Sequence, residues 1–153
     1  MENKCQLKKA SNFDIPELIE IEKSAAGSKL YSPMLTEDEW LVALEIGSVY
    51  LIERDGITVG SVSYENKNGV AQITGLVVSP EFQNQGIGRQ VLTQIFEELK
   101  GMHRIELATH PENARALKLY QSFGFTVESR KENYYGDGEP RLILVLQNDI
   151  PKT

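Results

Sequence analysis

Gln83-Asn84-Gln85-Gly86-Ile87-Gly88-Arg89 is the stretch on which the reading of this 153-residue chain turns. It follows an apolar run over 73–78 and precedes an amphipathic run over 87–99. Apolar run, paired glycines, amphipathic run: the succession predicts a strand, a tight turn and a helix. Glycine lets backbone approach a ligand closely, because no Cβ stands in the way. The first N–H groups of a helix have no partners within it, and the helix dipole adds positive charge there. Together they suit an anion, most often a phosphate. A P-loop needs Gly-Lys-Ser/Thr, and the chain has none. A dinucleotide loop needs a third glycine where Val91 stands. On these residues alone, a purely structural turn stays open.

Outward from the loop, the elements fall into place. Strands are expected over 5–10, 48–54, 57–64, 70–78 and 104–109, with a final hairpin of 125–133 and 142–146 around Gly136-Asp137-Gly138. Asp14 and Pro16 mark a first helix, ended by Gly27. Thr36-Glu37-Asp38-Glu39 has the form of a capping box and opens a second through Trp40. The third spans 86–101, with Val91, Leu92, Ile95, Phe96 and Leu99 on one face. The fourth spans 113–123 and stops at Gly124. The order β-α-α-β-β-β-α-β-α-β-β is that of an α+β domain with a mixed sheet, expected as a single domain over 1–153.

Composition narrows the function. With 16 Lys+Arg against 22 Asp+Glu, the net charge is −6. That argues against a nucleic-acid binder working through a basic face, and mildly favours a cationic partner such as an amine. The single cysteine, Cys5, has no internal partner, in keeping with a reducing compartment. No apolar run reaches membrane-span length and the polar start is unlike a signal peptide, so a cytoplasmic protein is expected. No metal site is expected, and either a monomer or a homodimer fits.

A second motif follows the loop: Asn113-Ala-Arg-Ala116, then Tyr120, then Gly124-Phe125. Asn113, Ala116 and Tyr120 share one helix face by their three- and four-residue spacing. Small Ala116 leaves room for a ligand chain beside them. The same spacing also fits plain core packing through Leu117, Leu119, Tyr120 and Phe123. Taken together, loop, helix motif and element order resemble the GNAT superfamily of N-acetyltransferases over nearly the whole chain. The closest likeness is to its branch acting on protein N-termini, including those of ribosomal proteins.

The resemblance implies acetyl-CoA as cosubstrate and direct acetyl transfer to a primary amine. It implies splayed fourth and fifth strands, with a bulge near Gly75 to Val77. It places the cofactor against Leu76, Val77, Val78, Gln83, Asn84, Gln85, Gly86, Ile87, Gly88, Arg89, Asn113, Ala116 and Tyr120. Tyr120 becomes the general acid, since a tyrosine is largely protonated at neutral pH. Two departures touch the base. The fifth-strand base position of the N-terminal branch is Ala108 here, and the usual fourth-strand carboxylate position holds Thr74 or Gly75. Glu106 and His110 flank Ala108 at two-residue spacing and are the candidate bases, alongside a water chain to backbone carbonyls. Tyr31, Tyr134 and Tyr135 are expected at the acceptor, a peptide or protein N-terminus. Pro140-Arg141 replaces the acidic-small pair usual in that branch. A small amine or amino acid as acceptor, a non-catalytic acyl-CoA-binding module and another nucleotide-binding domain are the competing readings.

Overall fold

The structure is a computed structural model that describes residues 4–148. Residues 1–3, where the polar start was read, and 149–153 lie outside the described residues. The elements are β1 (Gln6–Lys9), α1 (Ile15–Lys23), α2 (Glu37–Ile46), β2 (Ser48–Arg54), β3 (Ile57–Lys67), β4 (Val70–Val78), α3 (Ile87–Glu98), β5 (Arg104–Thr109), α4 (Ala114–Ser122), β6 (Thr126–Lys131) and β7 (Arg141–Gln147). This is the expected order. The seven strands form one mixed sheet, β1-β2-β3-β4-β5-β7-β6, in which only the β4–β5 pairing is parallel.

Helices cover both faces of the sheet, and β2 shows why. Its neighbours Leu51 and Ile52 are both buried, although successive strand residues point to opposite faces. Leu51 joins Val49 and Val77 under Leu18 and Ile21 of α1 and Trp40 of α2. Ile52 joins Val62, Ala71 and Ile105 under Val91, Leu92 and Ile95 of α3. Ile95 is fully buried there, so Ile95→Ala would cost about 2–5 kcal/mol.

Local signals held at most ends. Thr36 caps α2 by accepting from the Glu39 N–H at 3.2 Å, and its hydroxyl donates to the Glu39 carboxylate at 2.7 Å. Asp14 acts differently from expectation. Its carboxylate turns back to accept from the Ser11 N–H at 2.8 Å, closing a 3-10 turn over Asn12–Asp14 ahead of α1. α1 also ends at Lys23 rather than at Gly27, with Gly27 (φ +88°) finishing the loose turn that follows.

Candidate active site

One extra residue opens the site. In the β3–β4 ladder Tyr64 pairs with Ile73 and Ser63 with Gly75, so Thr74 is the bulge. It lies one residue before the expected stretch. The Thr74 hydroxyl shares a 2.8 Å hydrogen bond with that of Ser63, holding the bulge against β3. The parallel β4–β5 pairing ends at Ile73–Leu107. Beyond it β4 stays with β3, while Ala108 and Thr109 stay with β7. A gap therefore opens in mid-sheet between Gly75 and Ala108.

Two cavities meet at that gap. The first, of about 430 Å³, lies towards the 30–34 loop and the β6–β7 hairpin. The second, a groove of about 930 Å³, runs along α4 to the glycine loop. Leu30, Tyr31, Leu76, Asn113, Ala116 and Tyr120 line both.

The groove is built largely by backbone. Gly86 sits at φ +78°, a conformation glycine tolerates, and a Cβ there would meet open space. No side chain caps α3 among the described residues, which leaves its N-terminal N–H groups facing the groove. Gly88 serves packing instead: a Cβ would come within 3.3 Å of Leu119, so its absence lets α3 approach α4. Asn113 caps α4 by accepting from the Ala116 N–H at 3.1 Å. The structure brings Leu76, Val78, Gln83, Asn84, Gly86, Ile87, Gly88, Arg89, Asn113, Ala116 and Tyr120 to the groove. Val77 and Gln85 are not among them. Strand alternation turns Val77 to the α1–α2 side, where it is buried, and Gln85 folds outward to donate to the Glu81 carbonyl at 3.4 Å.

At the junction Tyr120 is buried, its ring edge-on to Phe125 at 5.8 Å. Burial, with the nearby Tyr135 hydroxyl, pushes its pKa up to about 12, so it holds its proton at neutral pH. The Tyr31 hydroxyl rests against Gly75, 3.4 Å from where a Cβ would stand, and donates to Glu22 Oε1 at 3.0 Å. Tyr135 lines the first cavity beneath the guanidinium of buried Arg141, 5.1 Å from its ring centre. Tyr134 packs edge-on against Tyr135 at 4.7 Å and does not line the cavity.

The two candidate bases sit elsewhere. Glu106 is paired with Arg104 at 3.0 Å and does not line either cavity. His110 is 1% exposed and both its nitrogens are engaged. Its Nδ1 accepts from the Glu112 N–H at 3.0 Å, which leaves Nε2 to donate to Glu139 at 2.7 Å. Neither nitrogen offers a free lone pair.

Glu22, which no motif in the sequence singles out, is the most unusual group near the site. It is 2% exposed, and its Oε2 is the one buried side-chain atom without a hydrogen-bond partner among the described residues. A signal existed: Ile15, Leu18 and Glu22 fall at i, i+3 and i+7, on the apolar stripe of α1. Arg141, with Glu39 and Glu65 on the cavity wall, was also missed as a lining residue.

Residues 15–125 match the acetyltransferase (GNAT) family. The chain belongs to that family. This acetyltransferase is 28% identical to the [ribosomal protein bS18]-alanine N-acetyltransferase of Salmonella typhimurium over 140 residues, covering 82% of this chain and 83% of that one. The crystal structure of the ribosomal-protein-S18-alanine N-acetyltransferase from Escherichia coli superposes with a TM-score of 0.84 at 25% identity, covering 97% and 96%. A GNAT acetyltransferase from Elizabethkingia anophelis, solved with acetyl-CoA bound, shares the fold at a TM-score of 0.72 and 18% identity, covering 95% and 99%. The protein is thus an acyltransferase of the N-acetyltransferase type. No helix among the described residues is long and apolar enough to cross a membrane.

Proposed function

We propose that this acetyltransferase carries the acetyl group of acetyl-CoA to the α-amino group of a peptide or protein N-terminus. The observation that carries this reading is the meeting of two cavities at Tyr120, which lets cosubstrate and acceptor enter from different sides. The named activity of the Salmonella relative supports it. The groove fits coenzyme A in three respects. Open space stands over Gly86, the α3 N-terminus is uncapped, and Gly75 and Leu76 face a gap where a strand would be. The 84–89 backbone would hold the pyrophosphate, and the freed edge of β4 would hold the amide-bearing arm.

Acetyl-CoA supplies a thioester, a carbonyl activated for attack by an amine. Tyr120 holds a proton at the junction and would give it to the departing sulfur. Tyr135 and the acidic Glu39 and Glu65 wall would receive a cationic N-terminus on the other side. A protein N-terminus as acceptor goes with a cytoplasmic enzyme, and buried, free Cys5 is compatible with that compartment.

The test is mass spectrometry of Ala-initiated peptides after incubation with acetyl-CoA. The expected product carries one acetyl group on the α-amine. Equal acetylation of an N-terminally blocked, Lys-containing peptide would overturn the acceptor assignment. A small amino acid as acceptor is the second reading. It is favoured by the buried Arg141 guanidinium on the cavity wall, which pairs with Asp137 at 3.2 Å and donates to the Pro140 carbonyl, and whose remaining N–H groups suit a second carboxylate.

A further inference from the structure

The acceptor reaches the site as an ammonium, which has no lone pair until a proton leaves. On the strands that flank the gap, Thr74, Gly75 and Ala108 line the cavity, and none of them is a base. Glu106 is turned to Arg104, and both nitrogens of His110 are spoken for. Two carboxylates line the cavity directly, but Glu39 accepts from the Thr36 hydroxyl at 2.7 Å and Glu65 stands opposite Gln72, where β4 is still paired with β5. The carboxylate joined to the gap itself is Glu22, and it is reached through a tyrosine.

We propose that Tyr31 takes the acceptor's proton and passes its own to Glu22, making the pair the base path of the reaction. The inference rests on the acetyl-transfer reading above. Three observations converge on it. Tyr31 lines both cavities, with its hydroxyl on Gly75 at the point where β4 leaves β5. That hydroxyl already donates to Glu22 Oε1, so a proton arriving at the tyrosine oxygen has a ready exit. The other carboxylate oxygen is buried in an apolar helix face and makes no hydrogen bond of good geometry among the described residues, with the Met34 backbone as a further polar group near the carboxylate, a costly arrangement for a purely structural residue.

The surroundings tune the pair. Burial raises the Glu22 pKa to about 7, and Glu39 on α2 pushes the same way, while the Tyr31 hydroxyl and the Met34 backbone pull it down. Tyr31 is raised well above the ordinary tyrosine value, first by burial, then by Glu22, with the Tyr135 and Tyr120 hydroxyls adding to the effect. Tyr31 therefore does not lose its proton to solvent. It relays one only while it receives another, and Glu22 near neutrality is matched to the task.

The protons balance. The ammonium gives one proton to the Tyr31 oxygen as the Tyr31 hydroxyl proton moves to Glu22. The freed nitrogen pair forms the C–N bond at the acetyl carbonyl, and the C–S bond breaks. Sulfur takes the Tyr120 proton, and the second nitrogen proton returns to the Tyr120 oxygen. Glu22 then releases its proton to water through Tyr31. In this scheme Tyr31 is the catalytic residue and Glu22 a positioning residue that acts through it.

The experiment is the pH dependence of kcat from pH 6 to 8 at saturating acetyl-CoA and Ala-initiated peptide, with a small amine run in parallel. It uses the full-length wild type, Glu22→Gln, Tyr31→Phe and the double variant. Circular dichroism and calorimetric binding of acetyl-CoA check each variant. Wild-type kcat is expected to rise about tenfold over this range as Glu22 ionises. Glu22→Gln should lose that limb and at least tenfold in kcat at pH 8, with acetyl-CoA affinity unchanged. Tyr31→Phe should do the same, and the double variant should lose no more than either single one. A Glu22→Gln enzyme that keeps the limb, with kcat within twofold of wild type, overturns the relay. Should Glu22→Gln not fold, Tyr31→Phe with an intact limb overturns it equally. Transfer to the small amine alone would correct the acceptor and still test the relay. Transfer to neither removes the transferase reading and the relay with it.

Discussion

At the loop end of the cleft the chemistry lies in the backbone of residues 84–89. At the acceptor end it lies in side chains: Glu22 from α1, Tyr31 from the loop after it, Tyr135 and Arg141 from the last hairpin. The loop end needs a run of φ and ψ values, and a few consecutive residues specify these. The acceptor end needs groups that are distant in sequence to converge, and only the sheet order achieves that. The first kind of site is written locally and the second is assembled by the fold.

The largest expected effect lies where the two ends meet. Tyr120→Phe should lower kcat by about 100-fold or more while acetyl-CoA affinity stays within about threefold, read by steady-state kinetics and calorimetry. An unchanged kcat would remove Tyr120 from the acid role. Next comes the backbone end. Gly86→Val puts a β-branched residue at φ +78°, so acetyl-CoA should bind about 30-fold more weakly, with the fold retained. Normal affinity would mean that the loop does not hold the cofactor.

At the side-chain end, the pH dependence of stability tests how Glu22 is held. Its folded pKa is raised, so its protonated form favours the native state below the unfolded value, and that contribution is lost as pH rises through about 7. Glu22→Gln should therefore stabilise the protein more at pH 8 than at pH 5, by on the order of 2 kcal/mol, or a few degrees in Tm. An equal change at both pH values would contradict a carboxyl titrating near neutrality. The smallest effect is reserved for Arg141→Ala. It removes the guanidinium above Tyr135 and should raise the peptide KM about fivefold without altering acetyl-CoA affinity.

The same division explains what could be read in the chain beforehand. The element order was legible because each element carries its own period, and α2 carries its own cap at Thr36. The groove was legible through Gly86, Asn113 and Tyr120. The side chains of Val77 and Gln85 turn away from the groove, Val77 by strand alternation and Gln85 by reaching the Glu81 carbonyl, because a motif names consecutive residues without saying which side chains face inward. The bulge was placed a residue late because register depends on the partner strand: Thr74 stands out only once Ser63 and Tyr64 are opposite it. Glu106 and His110 were chosen for proximity to Ala108. What engages them, Arg104 and Glu139, becomes visible only when ion pairs form in three dimensions. Glu22 was in plain view on the apolar stripe of α1. Its meaning depends on Tyr31 nine positions away folding back over it.

Thr74 has a further consequence, for how the sheet resists its neighbours in a crowded solution. A strand edge with free N–H and C=O groups ordinarily invites other strands and, through them, aggregation. The bulge creates two such edges, but in the interior of a seven-stranded sheet, with α4 and the 30–34 loop at the mouth of the gap. A second protein strand would have to enter between elements already packed together. A slender chain bearing a few amides would not. The enzyme thus keeps its unpaired strand edges inside the sheet, away from the rims where another polypeptide would dock.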